Sequence, residues 1–139
     1  MSINPSFSWE SLVNSWIADC KASLQRSKAT DHREAVRSSS VERMARDIVA
    51  SDPELGWRFV VDVSGATSDH EVLGCLSAWP LEDLLVGHGH AVIEELEKKS
   101  RDDAEFRELL FGVWRNLVEP DVWKRIEVMR GSPTSGNKQ

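Results

Sequence analysis

The feature that most limits the fold is a helix-start signal in front of almost every apolar run of the chain. A serine or aspartate that can cap a helix, or a proline suited to the first helical position, precedes nearly every run. The apolar residues that follow recur every three or four positions, as on one face of an α-helix. The chain is therefore predicted to be all-α, with about seven or eight short helices in an irregular bundle or an α-solenoid-like stack of helical hairpins.

The first half of the chain has clear helix boundaries. The first apolar stripe places a helix at about 8–27, a second helix covers about 40–51, and a third begins at Pro53. Residues 57–63 are rich enough in β-branched and aromatic side chains to form a buried strand instead. We favour the helix, because the start signal is strong and no second strand-like run is present to pair with it.

Prolines and glycines divide the middle of the chain. A short helix is predicted at about 69–77, and the pair Trp79-Pro80 marks a break after which Pro80 begins a new helix. The run from Gly87 to His90 interrupts that helix, and helical spacing then resumes as far as Lys99.

The C-terminal part predicts two further helices. An apolar stripe from Phe106 to Leu117 indicates the first, with Asp102 as its cap. Pro120 begins the last helix, and Gly131 ends it.

Length and composition favour one domain. The 139 residues, 40% of them apolar, can build one core, so we expect a single helical domain over 1–131 with a connecting loop at 28–39 and a disordered tail at 132–139. Two cysteines, Cys20 and Cys75, do not make a disulfide framework. The sequence shows no secretory leader pattern and no membrane-spanning run, which indicates a reduced, cytoplasmic protein without membrane partners.

The charge is unevenly distributed. The chain holds 17 Lys and Arg against 23 Asp and Glu, and the net charge of −6 opposes phosphate binding, so nucleic acid is not expected as a partner. Residues 67–99 alone hold two basic and seven acidic side chains. Either these acids form an ordinary solvated surface, or a hairpin of the helices that carry them merges them into one face that binds a basic protein.

The candidate partner-binding residues are most of these acids together with one tryptophan and one histidine. They are Glu71, Trp79, Glu82, Asp83, His88, Glu94, Glu95 and Glu97. Trp79 is included because a flat amphipathic ring at a helix junction can anchor an interface. The tryptophans on the apolar stripes are predicted to pack in the core, and these are Trp9, Trp16, Trp114 and Trp123.

The sequence gives little indication of catalysis. It contains no phosphate-binding loop, nucleophile elbow or paired-cysteine zinc pattern, and both cysteines fit small core positions. His88 and His90, two residues apart, would point to different faces of a helix. A metal site that joins His88 to Glu82 or Asp83 is an alternative to a simple helix-end histidine. We predict no enzyme activity, no cofactor and no metal.

Two strings of the sequence are familiar. They are Pro80-Leu81-Glu82-Asp83-Leu84-Leu85 followed by His88-Gly89, and Phe106-Arg107-Glu108-Leu109-Leu110 running into Val113-Trp114. They resemble the centre and the C-terminal segment of a bacterial family of small helical proteins known only as a domain of unknown function. With Pro53 to Val63, the resemblance spans about 52–128. It implies a helical fold and a special junction at 80–89, and it implies no reaction.

These observations favour a binding protein. The predicted function is that of a bacterial immunity or antitoxin-like protein, which would block a basic toxin domain through its acidic face. One alternative is a scaffold or regulatory adaptor that holds a peptide or helix in a groove between its own helices. Another is a small metal-dependent hydrolase that uses His88. Phe7 or an exposed tryptophan could also seal a homodimer.

Overall fold

A computed structural model describes residues 8–27, 40–115 and 117–131, and all regular structure in these ranges is helical. This confirms the prediction of an all-α fold. The loop predicted at 28–39, the tail predicted at 132–139 and Phe7 lie outside the described residues. None of the described helices is long and apolar enough to cross a membrane.

The described chain contains seven α-helices and two short helical segments of other types. The α-helices are α1 Trp9–Ser27, α2 Ser40–Ser51, α3 Pro53–Ala66, α4 His70–Leu76, α5 Glu82–Asp102, α6 Ala104–Arg107 and α7 Pro120–Met129. A π-helical segment, Ser77–Leu81, joins α4 to α5, and a 3₁₀ segment, Glu108–Gly112, extends α6.

Local signals explain the helices of the first half. Asp52 caps α3, since its Oδ1 accepts the backbone N–H groups of Glu54 and Leu55 at 3.1 Å each, and Pro53 takes the first helical position. Residues 57–63 are therefore helical, and the strand alternative is excluded.

The predicted break at Trp79-Pro80 is wrong. Proline lacks the N–H that an α-helix needs, yet α4, the π segment and α5 follow one another without interruption. The backbone N–H of Glu82 donates to the carbonyl of Ser77, five residues earlier, and this wider turn accommodates the buried Pro80 ring. The predicted interruption at Gly87 to His90 is reduced to a kink, where His88 has φ −141° and ψ 33°.

The long helix predicted from Phe106 to Leu117 is also wrong. Its N-cap is Asp103, whose Oδ1 accepts the N–H of Phe106 at 3.1 Å, and regular α-helix ends after four residues. The 3₁₀ segment follows, and Val113 is already extended. As a result Trp114 and Leu117, predicted on the apolar stripe, are 63% and 74% exposed.

The core lies between α1, α3 and the continuous unit of α4, the π segment and α5. Trp16 and Phe59 are among its largest buried side chains, and Trp9 and Trp16 both pack edge-on against Phe59, with ring centroids 6.2 and 5.7 Å away. Cys20 of α1 and Cys75 of α4 are buried free thiols. Trp9 and Trp123, predicted in the core, are partly buried and packed against it.

Candidate functional site

The segment from Leu109 to Trp114 is held in place by polar side chains from distant parts of the chain in addition to its own 3₁₀ bonds. Ser77 Oγ donates to the carbonyl of Leu109 at 2.8 Å. The Arg130 guanidinium donates to the carbonyl of Leu110 at 2.9 and 2.7 Å and to that of Val113 at 2.7 Å. Burial lowers the pKa of Arg130, and these charge-assisted bonds offset the cost of that burial.

Glu82 holds the end of the same segment. Its carboxylate accepts the backbone N–H of Trp114 at 3.3 Å, and its side chain is only 2% exposed. Gly112 completes the fit, since a Cβ there would lie 2.9 Å from the Ser77 Cβ. The segment thus has a defined backbone path although it is not α-helical.

This segment presents large apolar side chains to solvent. Phe111 is 61% exposed, and Trp114 and Leu117 are exposed to a similar extent. We call Phe111, Trp114 and Leu117 the apolar ridge. The Arg130 guanidinium lies 5.9 Å from the Phe111 ring and 4.7 Å from the Trp123 ring, so the ridge adjoins α7.

An open groove of about 1150 Å³ has Glu108, Leu109 and Gly112 of the 3₁₀ segment in its lining. Its walls come from the start of α1, the end of α3, α4 and residues 103–112. Apolar side chains form part of the lining, among them Trp9, Val13, Leu73, Phe106 and Leu109. The lining also includes five carboxylates but a single lysine, Lys99. The five carboxylates are Glu10, Asp62, Asp103, Glu105 and Glu108. We call this cavity the acidic groove.

Two of the five carboxylates have partners inside the protein. Asp62 accepts the indole N–H of Trp9 at 2.7 Å and a weaker bond from Arg58 at 3.4 Å. Asp103 caps α6 and pairs with Lys99 at 3.4 Å, and both contacts lower the pKa of the Asp103 carboxyl, the bond from the Phe106 backbone most strongly.

The other three carboxylates face solvent. Glu10, Glu105 and Glu108 are exposed, and within the described part of the chain they form no ion pair. They are therefore the groove residues that are open to a cation from outside.

The structure divides the eight residues that the sequence singled out. Only Glu71, Glu94 and Glu95 are exposed. Glu71 lines a small crevice with Lys21 and Asp69, whereas Glu94 and Glu95 lie on α5. These three exposed acids therefore belong to two helices, α4 and α5.

Glu82 is buried, and its carboxylate accepts the backbone N–H of Trp114; its contact with a partner stays a prediction. Glu97 is partly buried and pairs with Arg125 of α7 through both oxygens, at 2.6 and 2.8 Å. This contact lowers the pKa of the Glu97 carboxyl. Asp83 is partly buried.

Trp79 and His88 are partly buried as well. The Arg46 guanidinium lies 5.5 Å from the Trp79 ring. His88 Nε2 lies 2.9 Å from the carbonyl oxygen of Ala50, and because a carbonyl can only accept, this nitrogen carries the hydrogen. Both side chains therefore contact α2, Trp79 from the π segment and His88 from α5.

Among the residues described, no three His, Cys, Asp or Glu side chains come together as metal ligands. In place of a metal, His88 Nε2 contacts the Ala50 carbonyl and the Glu82 carboxylate contacts the Trp114 N–H. A hydrogen bond with Cys20 and burial raise the pKa of the Cys75 thiol, which keeps it protonated.

Sequence reasoning missed the acids of the groove and the ridge. Glu10, Glu105 and Glu108 lie in stretches with little net charge, and only the fold brings them together. One feature of the sequence does indicate the ridge. Phe111 is apolar but falls outside the helical stripe from Phe106 to Leu117, so its side chain is not expected to face the core.

A protein-family model described as a family of unknown function (DUF6869) matches residues 25–134. No curated protein and no solved structure matches the chain.

Proposed function

The chain belongs to the DUF6869 family, and we propose that it is a non-catalytic binding protein whose acidic groove takes up a lysine- and arginine-rich segment of another protein. The observation that carries this proposal is the set of Glu10, Glu105 and Glu108, three exposed carboxylates without ion pairs in the described chain, around a groove with a partly apolar lining. Such a lining favours a cationic side chain with an aliphatic stem, because the stem packs on apolar surface while the head meets a carboxylate.

The size of the groove supports a polypeptide occupant. Its volume of about 1150 Å³ exceeds the roughly 300–1,000 Å³ of common small-molecule pockets. Complementary charge would raise the association rate and select against acidic partners more than it would raise raw affinity.

An immunity or antitoxin-like protein is the specific form of this function that we propose, with the groove covering a basic surface of a toxin. A regulatory adaptor that holds a basic peptide would use the same groove. The two differ in consequence: an immunity protein must abolish an activity of its partner at a one-to-one ratio, whereas an adaptor leaves that activity intact.

The test compares two sets of acids. One variant carries Glu10→Gln, Glu105→Gln and Glu108→Gln, and its matched control carries Glu71→Gln, Glu94→Gln and Glu95→Gln, which removes the same charge from the exposed acids of 69–97. The probe is a fluorescent peptide of lysine, arginine and serine, and its anisotropy is followed at low and high salt.

We expect the groove variant to lose affinity by about tenfold or more, the control to lose little, and high salt to weaken wild-type binding. If the control variant loses affinity and the groove variant does not, the binding face is the exposed acids of 69–97. If the wild-type protein does not bind the peptide at low salt, the proposal is wrong.

A further inference from the structure

We infer that the segment bound in the acidic groove is amphipathic, and that its apolar side chains rest on the apolar ridge of Phe111, Trp114 and Leu117. This inference rests on the proposed function and adds the class of partner: a basic segment with a second, apolar face. The ridge and the groove then form one continuous binding surface.

The first argument is the exposure of the ridge. Three large apolar side chains that lie within seven residues are each more than half exposed. Single exposed apolar residues are common, but three large ones so close together in the sequence, next to a groove lined by carboxylates, fit an interaction surface.

The second argument is the position of the ridge beside the groove. A 3₁₀ helix has about three residues per turn, so side chains three apart lie on the same side, one above the other. Glu108 and Phe111 have this spacing within Glu108–Gly112. Glu108 lines the groove and Phe111 begins the ridge, so a carboxylate and an exposed aromatic ring adjoin on one edge.

The third argument is rigidity. The bonds from Ser77, Glu82 and Arg130 fix the backbone between Leu109 and Trp114. Exposed aromatic rings on a backbone that is already ordered lose little entropy on binding, as in the central anchors of protein interfaces. Charge complementarity identifies the occupant. The groove side carries carboxylates and the ridge offers apolar contacts, so the bound segment needs leucine-like residues next to lysine or arginine.

The experiment uses two helical peptides with the same lysine and arginine residues. One carries leucine on its second face, and the other carries serine there. The protein variants are Phe111→Ser with Trp114→Ser, Leu117→Ser alone, and the control Val128→Ser. Val128 is 73% exposed and lies about 140° around α7 from Trp123, away from the Arg130 side that touches the ridge.

We expect wild-type protein to bind the leucine peptide more tightly than the serine peptide, by about tenfold to a hundredfold. The double variant and, to a smaller extent, Leu117→Ser should remove this difference without changing the affinity for the serine peptide. Val128→Ser should leave both affinities unchanged, and the groove variant should weaken both. Leu117→Ser, in a turn, serves if the double variant fails to fold.

Equal affinity of wild-type protein for the two peptides would overturn the inference and leave the groove proposal standing. Failure of both peptides to bind would overturn both. If the ridge variants change the sedimentation coefficient and leave peptide binding intact, the ridge joins two copies of the chain, and the inference is wrong.

Discussion

The contact between α1 and α3 and the segment from Leu109 to Trp114 are stabilised in opposite ways. In the first, Trp9 and Trp16 pack around Phe59 and the stabilisation is spread over many apolar atoms. In the second, a few polar side chains bond to backbone groups. The apolar contact between α1 and α3 therefore sets the stability of the whole fold. The polar bonds of the segment from Leu109 to Trp114 set the shape of one surface, and that shape depends on single residues.

The largest effect is expected in the apolar region. Phe59 is fully buried, so Phe59→Ala removes its ring contacts and leaves a cavity, and we expect the free energy of unfolding to fall by about 3–5 kcal/mol. The exposed Phe111 is the matched control, since Phe111→Ala should change stability by less than about 0.5 kcal/mol. Urea unfolding measures both. Similar losses for the two variants would contradict the comparison.

Arg130 tests the polar region. Arg130→Ala removes three hydrogen bonds from a charged donor and leaves two carbonyls without that partner, so we expect a loss of about 2–3 kcal/mol. Hydrogen exchange should increase mainly between Leu109 and Trp114. Arg130→Lys keeps the charge but loses the planar fork, so it should restore only part of the stability. Uniformly faster exchange, with α1 and α3 included, would show that Arg130 supports the whole fold.

Gly112 tests how closely the two segments approach. Gly112→Ala would place its Cβ 2.9 Å from the Ser77 Cβ, and we expect a loss of about 1–3 kcal/mol. Gly65 in α3 has open space around its Cβ position, so Gly65→Ala should be neutral or stabilising by up to about 1 kcal/mol. Thermal unfolding of the two variants measures the difference. Equal melting temperatures would show that the 3₁₀ segment moves away from Ser77 to accommodate the added methyl group at no cost in stability.

The smallest effect is expected for the ion pair of Glu97 with Arg125. Arg125 lowers the pKa of Glu97 in the folded protein, so the pair adds stability above the usual carboxyl pKa and loses it as the pH falls through the lowered value. Glu97→Gln should therefore be slightly less stable than wild type at neutral pH and low salt, and equally stable in strong acid or at high salt. A difference that persists in acid would assign the effect to packing.

Helices whose signals act over a few residues could be predicted from the sequence. Asp52 and Pro53 act on the turn that follows them, and this start signal is the reason that the sequence favoured helix over strand at 57–63. The segment after Phe106 could not be predicted, because Arg130 acts on it from 17 and 20 residues away and Ser77 and Glu82 from 32. A helical stripe in the sequence does not show that distant polar side chains bind the backbone instead.

The candidate site could not be predicted either, because its residues are far apart in the sequence. The groove acids Glu10, Asp62 and Glu105 come from three different helices, and no local pattern relates them. The acids of 69–97 are concentrated in the sequence, but Glu82 and Glu97 are used inside the fold. Charge density along a chain predicts a charged surface only where the side chains lack internal partners.

The π segment between α4 and α5 has a consequence for the register of the long helix. In an unbroken α-helix, residues five apart lie about 140° apart around the axis, so Ser77 and Glu82 would point in different directions. The bond from the Glu82 N–H to the Ser77 carbonyl places one residue above the other, and both side chains reach the segment that carries the ridge. The π turn is equivalent to one inserted residue. Because the wider turn takes up this extra residue, the helix after Pro80 is not rotated, and the side chains of Ser77 and Glu82 both keep their bonds to the segment that carries the ridge.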